Sequence, residues 1–207
     1  MINKLALAAE KPGYAFRYAF NVFRKYFLLK KVIKNGEVFL RYKGDLYPGY
    51  LFKKKASSYI RDKALEYCTG QGIDIGAGAW PLDGAYPIEN IPEENAYNLD
   101  KFADSSLDFI FSSHCLGHLD RWPEALKLWI KKLKPGGILF LYLPHESMVM
   151  WRPGEIFGLQ HVWSPTWQTL NPFFESCGMK VVDYDSNRDR YWSFYIAAKK
   201  TLPHREW

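Results

Sequence analysis

Apolar and polar positions alternate with two different periods along the chain, and the period changes near residue 70. Over residues 14–31, Phe16, Phe20, Phe23 and Phe27 fall at i, i+4, i+7 and i+11, one stripe at helical spacing. Asn35-Gly36 marks a turn, and Glu37-Val38-Phe39-Leu40-Arg41-Tyr42 alternates as a strand does, so a small hairpin is expected there. Pro48-Gly49 gives another turn, and a second helix is predicted from Lys54 to Tyr67. Beyond Gly70 short apolar runs alternate with helical segments, the pattern of a parallel α/β sheet.

The strands predicted in this part are Gly72–Ile75, Ala85–Glu89, Ala96–Leu99, Leu107–Ser112, Gly137–Leu143, Met179–Asp185 and Tyr191–Lys199. Helices fit Trp122–Leu133, opened by Pro123, and Pro165–Cys177, with Ser164 as cap, Gly178 as stop and a kink or split expected at Pro172. The expected fold is therefore α/β: a Rossmann-like, doubly wound, seven-stranded and mostly parallel sheet. It ends in a C-terminal β-hairpin and carries an N-terminal helical extension. Residues 1–68 form the extension and 69–207 the main domain.

Composition sharpens this picture in two places. Apolar residues make up 48% and aromatics 17% of the 207 residues, enough for a globular core, and no apolar run approaches the roughly 20 residues needed to cross a bilayer. The formal charge of +6 is unevenly spread, with net +10 in residues 1–70 and net −4 in residues 71–207. A basic, aromatic N-terminal helix suits docking on its own domain, weak contact with a membrane surface, or nucleic acid. No nucleic-acid motif supports the last, so no nucleic-acid partner is expected. Cys68, Cys115 and Cys177 are odd in number and widely spaced, which argues for reduced thiols in a cytoplasmic setting and against zinc or disulfides.

The chemistry is expected at Gly72-Ile73-Asp74-Ile75-Gly76-Ala77-Gly78, where an apolar strand runs into Gly-x-Gly. Such a turn lets a ligand approach backbone where a Cβ would collide. Pro81 occupies the position where a dinucleotide fingerprint needs glycine or alanine, which weakens a nicotinamide or flavin reading. Glu89 ends the next strand, 15 residues after Asp74, where a carboxylate can accept both hydroxyls of a ribose. Only Gly76–Gly84 separate these two strands, too few for an ordinary crossover helix, so that helix is expected to be stunted or absent.

Two further segments complete a pattern: Leu107-Asp108-Phe109-Ile110-Phe111-Ser112-Ser113-His114-Cys115-Leu116-Gly117-His118-Leu119, and Leu133-Lys134-Pro135-Gly136-Gly137. Together with Asp74-Ile75-Gly76-Ala77-Gly78 and Glu89, in this order and spacing, they resemble the class I, type-11 S-adenosylmethionine-dependent methyltransferases. The resemblance is close over about residues 70–145 and holds in outline to 200. It implies S-adenosyl-L-methionine as cofactor, with Gly76, Ala77 and Gly78 against its amino-acid end, Asp74 supporting that loop and Glu89 on the ribose. By the same resemblance Asn98 and Leu99 fall beside the adenine, and Ser112 and Ser113 floor the methionine half. Gly117 stands where the family has Glu, Asn98 where it has an acid, and Lys101 where it has proline.

The implied activity is methyl transfer to a small-molecule or glycan-like acceptor. The alternative is a catalytically silent module that binds the same cofactor. His114, His145 and His161 are the candidate catalytic bases because each follows or faces the carboxyl end of a strand, whereas His118 is expected to pack on a helix. The segment from Leu143 to Trp163 is long and aromatic for a connection, and reads as a lid or acceptor pocket or as packing over the sheet edge.

Overall fold

The structure is a computed structural model and describes residue 23 and residues 27–53 and 56–201. It divides into two compact units, one of residues 1–54 with Glu155–Phe157, the other of residues 55–154 and 158–207.

In the first unit Lys30–Lys34 (β1), Glu37–Tyr42 (β2) and Asp45–Pro48 (β3) form a three-stranded antiparallel sheet, followed by a 3-10 turn at Gly49–Phe52. Asn35 and Gly36, both at positive φ, close the β1–β2 hairpin, and Ile33 pairs with Val38 across it. The extension over residues 1–68 was expected as helices with a small hairpin; the hairpin forms and gains a third strand, the helix predicted over Lys54–Tyr67 forms over Ala56–Leu65, and Lys30 and Lys31, expected to end the first helix, belong to a strand. The Phe stripe is described only at Phe23 and Phe27, whose rings lie 4.3 Å apart; Phe16 and Phe20 lie outside the described residues. Tyr42, 1% exposed, donates its hydroxyl to Glu155 Oε2 at 2.5 Å, and Lys43 Nζ reaches Oε1 at 2.6 Å. Phe52 packs on Phe157 at 4.8 Å. The long connection after the main sheet thus lends three residues to the small one.

The second unit opens with helix α1 (Ala56–Leu65), which leads to Gly72–Ile75 (β4). Ala85–Ile88 (β5), Leu107–Ser113 (β6), helix α2 (Trp122–Lys132) and Leu133–Pro144 (β7) follow, then helix α3 (Trp167–Ser176), Met179–Asp185 (β8) and Ser193–Lys200 (β9). The sheet has six strands in the order β5-β4-β6-β7-β9-β8. β4, β5, β6 and β7 run parallel, and β9 lies antiparallel between β7 and β8, as the expected C-terminal hairpin. β4 is buried at every position because helices or loops cover both faces of a central parallel strand.

The seventh predicted strand, Ala96–Leu99, does not form. Ile91 and Glu94 exchange backbone bonds, as do Asn95 and Asn98, so the segment is two tight turns in succession. The side-chain oxygens of Asn95 and Asn98 accept from the amides of Tyr97 and Asp100, turn chemistry that competes with strand pairing. Its apolar residues serve the core directly: Leu99 is fully buried, and Trp129 of α2 donates its indole N–H to the Ala96 carbonyl at 2.8 Å. No helix interrupts the Gly76–Gly84 connection, as its length required. α3 starts two residues later than expected, with Thr166 rather than Ser164 as cap, its Oγ1 accepting from Thr169 N. Pro172 lies inside α3 without splitting it.

Candidate active site

The carboxyl ends of β4, β5 and β6 border a cleft of about 530 Å³, within the ordinary range for small-molecule sites. Gly76 and Cys115 meet at its floor. Gly76 turns the chain at φ +79°, and a Cβ there would sit 2.7 Å from Cys115 Cβ, so only glycine permits this approach. Glu89 and Asn90, just past β5, form one wall; Ala96, Tyr97, Leu119 and Asp120 form another. The Tyr97 hydroxyl donates to Asp120 Oδ1 at 2.8 Å and accepts from Arg121 N at 3.1 Å, which fixes the ring.

Asp74 lies beneath this cleft, 1% exposed. Its Oδ2 accepts from Leu82 N at 2.9 Å and so braces the Gly-x-Gly connection from inside. Its Oδ1 is buried without a hydrogen-bond partner. Burial raises the carboxyl to about 7; the Leu82 amide works against that shift and the charge of Glu89 adds to it. A buried, unpaired carboxylate oxygen beside a glycine turn is a place where a cationic amine would be welcome.

Of the sequence-predicted cofactor residues, Gly76 and Glu89 line the cleft. Ala77 and Gly78 continue the same loop, Gly78 at φ +57° with open space where a Cβ would be. Ser112 is buried and donates to the Ile75 carbonyl at 2.9 Å, tying β6 to β4, while Ser113 Oγ is buried without a partner. Asn98 and Leu99 do not line the cleft, because the paired turns give that position to Ala96 and Tyr97.

None of the three predicted catalytic histidines lines the cleft; His118, expected only to pack, does. His114 leaves β6 at φ +55°, which aims its ring among Tyr142, Trp151 and Tyr191, with Nε2 2.9 Å from Ser193 Oγ. Burial pushes its pKa down to about 3, with His161 and His118 adding to the shift. His145 turns back on itself, Nδ1 accepting from Ser147 N at 3.1 Å. His161 donates from Nδ1 to the Trp151 carbonyl, and burial followed by the nearby His118 lowers it to about 4. Its ring centroid lies 4.3 Å from that of His118, whose Nδ1 is spent on the Gln160 carbonyl. Gln160 itself reaches the cleft.

Gly117, the departure from Glu, is buried under this segment. Its carbonyl accepts from Val162 N at 2.9 Å, and a Cβ would meet Trp163 O at 3.4 Å and His161 Cδ2 at 3.6 Å. A side chain as long as Glu would displace the 161–163 stretch. Position 117 thus explains why the segment can fold against the cleft. Among the described residues no cluster of His, Cys, Asp and Glu could hold a metal ion, and no helix is long and apolar enough to cross a membrane.

A mostly parallel sheet with a glycine turn after β4, an acid after β5 and a cleft over both is an arrangement suited to a nucleoside cofactor. Residues 64–141 match the model of the methyltransferase domain family. No curated protein matches the sequence. Among solved structures, the fold is similar to a chain of the Haloferax volcanii complex that contains the Trm112 methyltransferase activator (TM-score 0.56, 14% identity, 76% of this chain and 96% of that one). It is also similar to the Burkholderia thailandensis 1,6-didemethyltoxoflavin-N1-methyltransferase with bound 1,6-didemethyltoxoflavin and S-adenosylhomocysteine (0.53, 15%, 84% and 100%). A third likeness is to an S-adenosylmethionine-dependent methyltransferase from Archaeoglobus fulgidus (0.52, 19%, 73% and 99%).

Proposed function

We propose that the protein transfers a methyl group from S-adenosylmethionine to a small-molecule or glycan-like acceptor. The observation that carries this reading is the pairing of Asp74 with Glu89 around the Gly76 turn: one carboxylate buried under the cleft with an unpaired oxygen, the other on its wall. Asp74 and the Gly76–Gly78 loop would hold the amino-acid end of the cofactor, Glu89 its ribose hydroxyls, and Ala96, Tyr97 and Leu119 the adenine. When bound, S-adenosylmethionine supplies a methyl carbon already activated by the sulfonium.

What remains for the protein is alignment of donor and acceptor, which supplies much of the rate of an in-line displacement. The rigid shelf from Ser112 to Cys115 supports this, since Ser112 is locked to Ile75 and the chain then reverses at His114. His118 is the histidine on the cleft. With Nδ1–H spent on the Gln160 carbonyl, its Nε2 carries a lone pair that can take the proton of a hydroxyl acceptor.

Calorimetry on the purified protein tests the reading. Binding of S-adenosylhomocysteine with micromolar affinity, about −8 kcal/mol, is expected. Tight binding of a nicotinamide cofactor with no response to S-adenosylhomocysteine would overturn it.

A further inference from the structure

A second cavity, of about 220 Å³, opens at the carboxyl edge of the same sheet. His145 and Glu146, which follow β7, line one side. Trp167 and Gln168, which open α3, line another, with Ser186 after β8 and Phe194 of β9 completing it.

The chemistry of this lining is specific in charge and in shape. Among the described residues no lysine or arginine lines the cavity, and the Glu146 carboxylate disfavours an anion. Because His145 Nδ1 accepts from Ser147 N, its Nε2 carries the proton and is a donor. The Gln168 amide and Ser186 hydroxyl add neutral donors and acceptors, and Glu146 a strong acceptor. Trp167 stacks on Tyr184 with centroids 4.0 Å apart and planes within 7°, so its indole is held in place. Phe194, 4% exposed, is a second fixed ring. The volume falls below the roughly 300 Å³ at which drug-sized sites begin, so one small ring fits. A neutral ring rimmed with hydroxyls satisfies all of this. Its hydroxyls meet His145, Glu146, Gln168 and Ser186, and its C–H surface meets an aromatic wall.

The cavity also approaches the cleft, through a third space that shares residues with the cavity and is lined by chain neighbours of the cleft wall. A narrow space of about 20 Å³ is lined by His145, Glu146 and Pro165, which also line the second cavity, and by Gly117 and His161, the chain neighbours of His118 and Gln160 on the cleft wall. We infer that the His145–Trp167 cavity holds a neutral polyhydroxylated ring, a sugar residue or a cyclitol, of the methyl acceptor. The word acceptor here rests on the methyltransferase reading; the ring site rests on the cavity alone.

Saturation-transfer NMR on the full chain, with methyl β-D-glucopyranoside, methyl α-D-mannopyranoside and myo-inositol as probes, tests the site. Transfer to at least one probe is expected. The exposed pair Gln168→Ala/Ser186→Ala should weaken that probe about tenfold, the worth of one or two hydrogen bonds, and leave S-adenosylhomocysteine affinity unchanged. Trp167→Ala should abolish it. A pyranoside response identifies a sugar residue, and a response to inositol alone a cyclitol. No transfer to any probe from protein that binds S-adenosylhomocysteine would overturn the inference, as would transfer indifferent to both variants. Ring binding by protein that fails to bind S-adenosylhomocysteine would sustain the site and remove methyl transfer.

Discussion

His118 and His161 face each other with ring centroids 4.3 Å apart, each spending its Nδ1–H on a backbone carbonyl of the segment that walls the cleft. Those bonds would survive protonation and favour it; burial, joined at His161 by the nearby His118, opposes it more strongly. Burial lowers both, His161 to about 4 from an ordinary 6.5. The unfolded chain then binds the proton first as pH falls, so this contribution to stability is complete above about pH 6.5 and is lost between 6.5 and 4. S-adenosylhomocysteine affinity and tryptophan fluorescence should both report loosening of the 160–163 segment in that window. His161→Gln, which cannot charge, should flatten the response; an identical acid profile in the variant would refute the link.

Asp74 runs the other way. Its carboxyl is raised to about 7, so the folded state holds a proton that the unfolded chain has already lost, and its contribution falls as pH rises from about 4 through 7. Asp74→Asn should therefore stabilise the free protein more at pH 8 than at pH 5, read as the difference in Tm. The same substitution should weaken S-adenosylmethionine, whose amine would be the natural partner of Oδ1. Stabilisation without loss of affinity would remove Asp74 from the cofactor site.

Glu89 lies on the cleft wall immediately after β5. If it holds the ribose, Glu89→Ala should cost roughly 1–3 kcal/mol of S-adenosylhomocysteine affinity as charge-assisted bonds are lost. Being exposed, it should leave Tm nearly unchanged. A nucleoside without the 2′ and 3′ hydroxyls should not distinguish the variant from the parent.

How far the sequence carried can be judged from particular residues. β4 and β8 were legible to the residue: β4 is a short buried run ending in a glycine turn, and β8 alternates in exposure from the stop at Gly178. Ala96–Leu99 was misread because Ala and Leu at a core-facing turn have the same spacing as a strand; the deciding signal was Asn95 and Asn98, whose side chains cap successive turns. Gly76 and Glu89 were legible from local spacing. His118 was not, since its place on the cleft depends on Gly117 admitting the 161–163 segment, a contact between positions more than 40 residues apart. His114 sits at the expected strand end, but a positive φ turns its ring into the aromatic cluster, and backbone sign at a non-glycine residue has no local signature.

Glu155 makes a separate prediction for the N-terminal unit. It accepts from Tyr42 Oη and Lys43 Nζ, and Tyr42 is buried, so Glu155→Ala would remove a charged acceptor from a buried phenol. The expected cost is about 1–3 kcal/mol, concentrated in that unit. Limited proteolysis should show faster cutting between residues 145 and 163.

Two glycines separate fold from site. At Gly72 a Cβ would lie 2.4 Å from Phe109 Cδ1 and 2.5 Å from its Cδ2 and Cε1, in a strand buried on both faces. A buried ring packed between strands has nowhere to retreat, so Gly72→Ala should cost about 1–3 kcal/mol. At roughly 2–4 °C per kcal/mol for a chain of this size, Tm should drop by several degrees. Folded Gly72→Ala protein should still bind S-adenosylhomocysteine normally, because Gly72 is at the far end of β4 from the cleft. Gly78 presents the reverse case. Nothing lies within 4 Å of a Cβ there, and φ is +57°, so alanine costs about 1 kcal/mol of backbone preference and no packing. If the cofactor's amino-acid end lies against this loop, the added methyl occupies its space, and affinity should fall at least tenfold while Tm moves little. The pair is read by calorimetry and thermal melting on the same samples. Normal affinity in Gly78→Ala would move the cofactor off the Gly76–Gly78 turn, whatever the rest of the cleft binds.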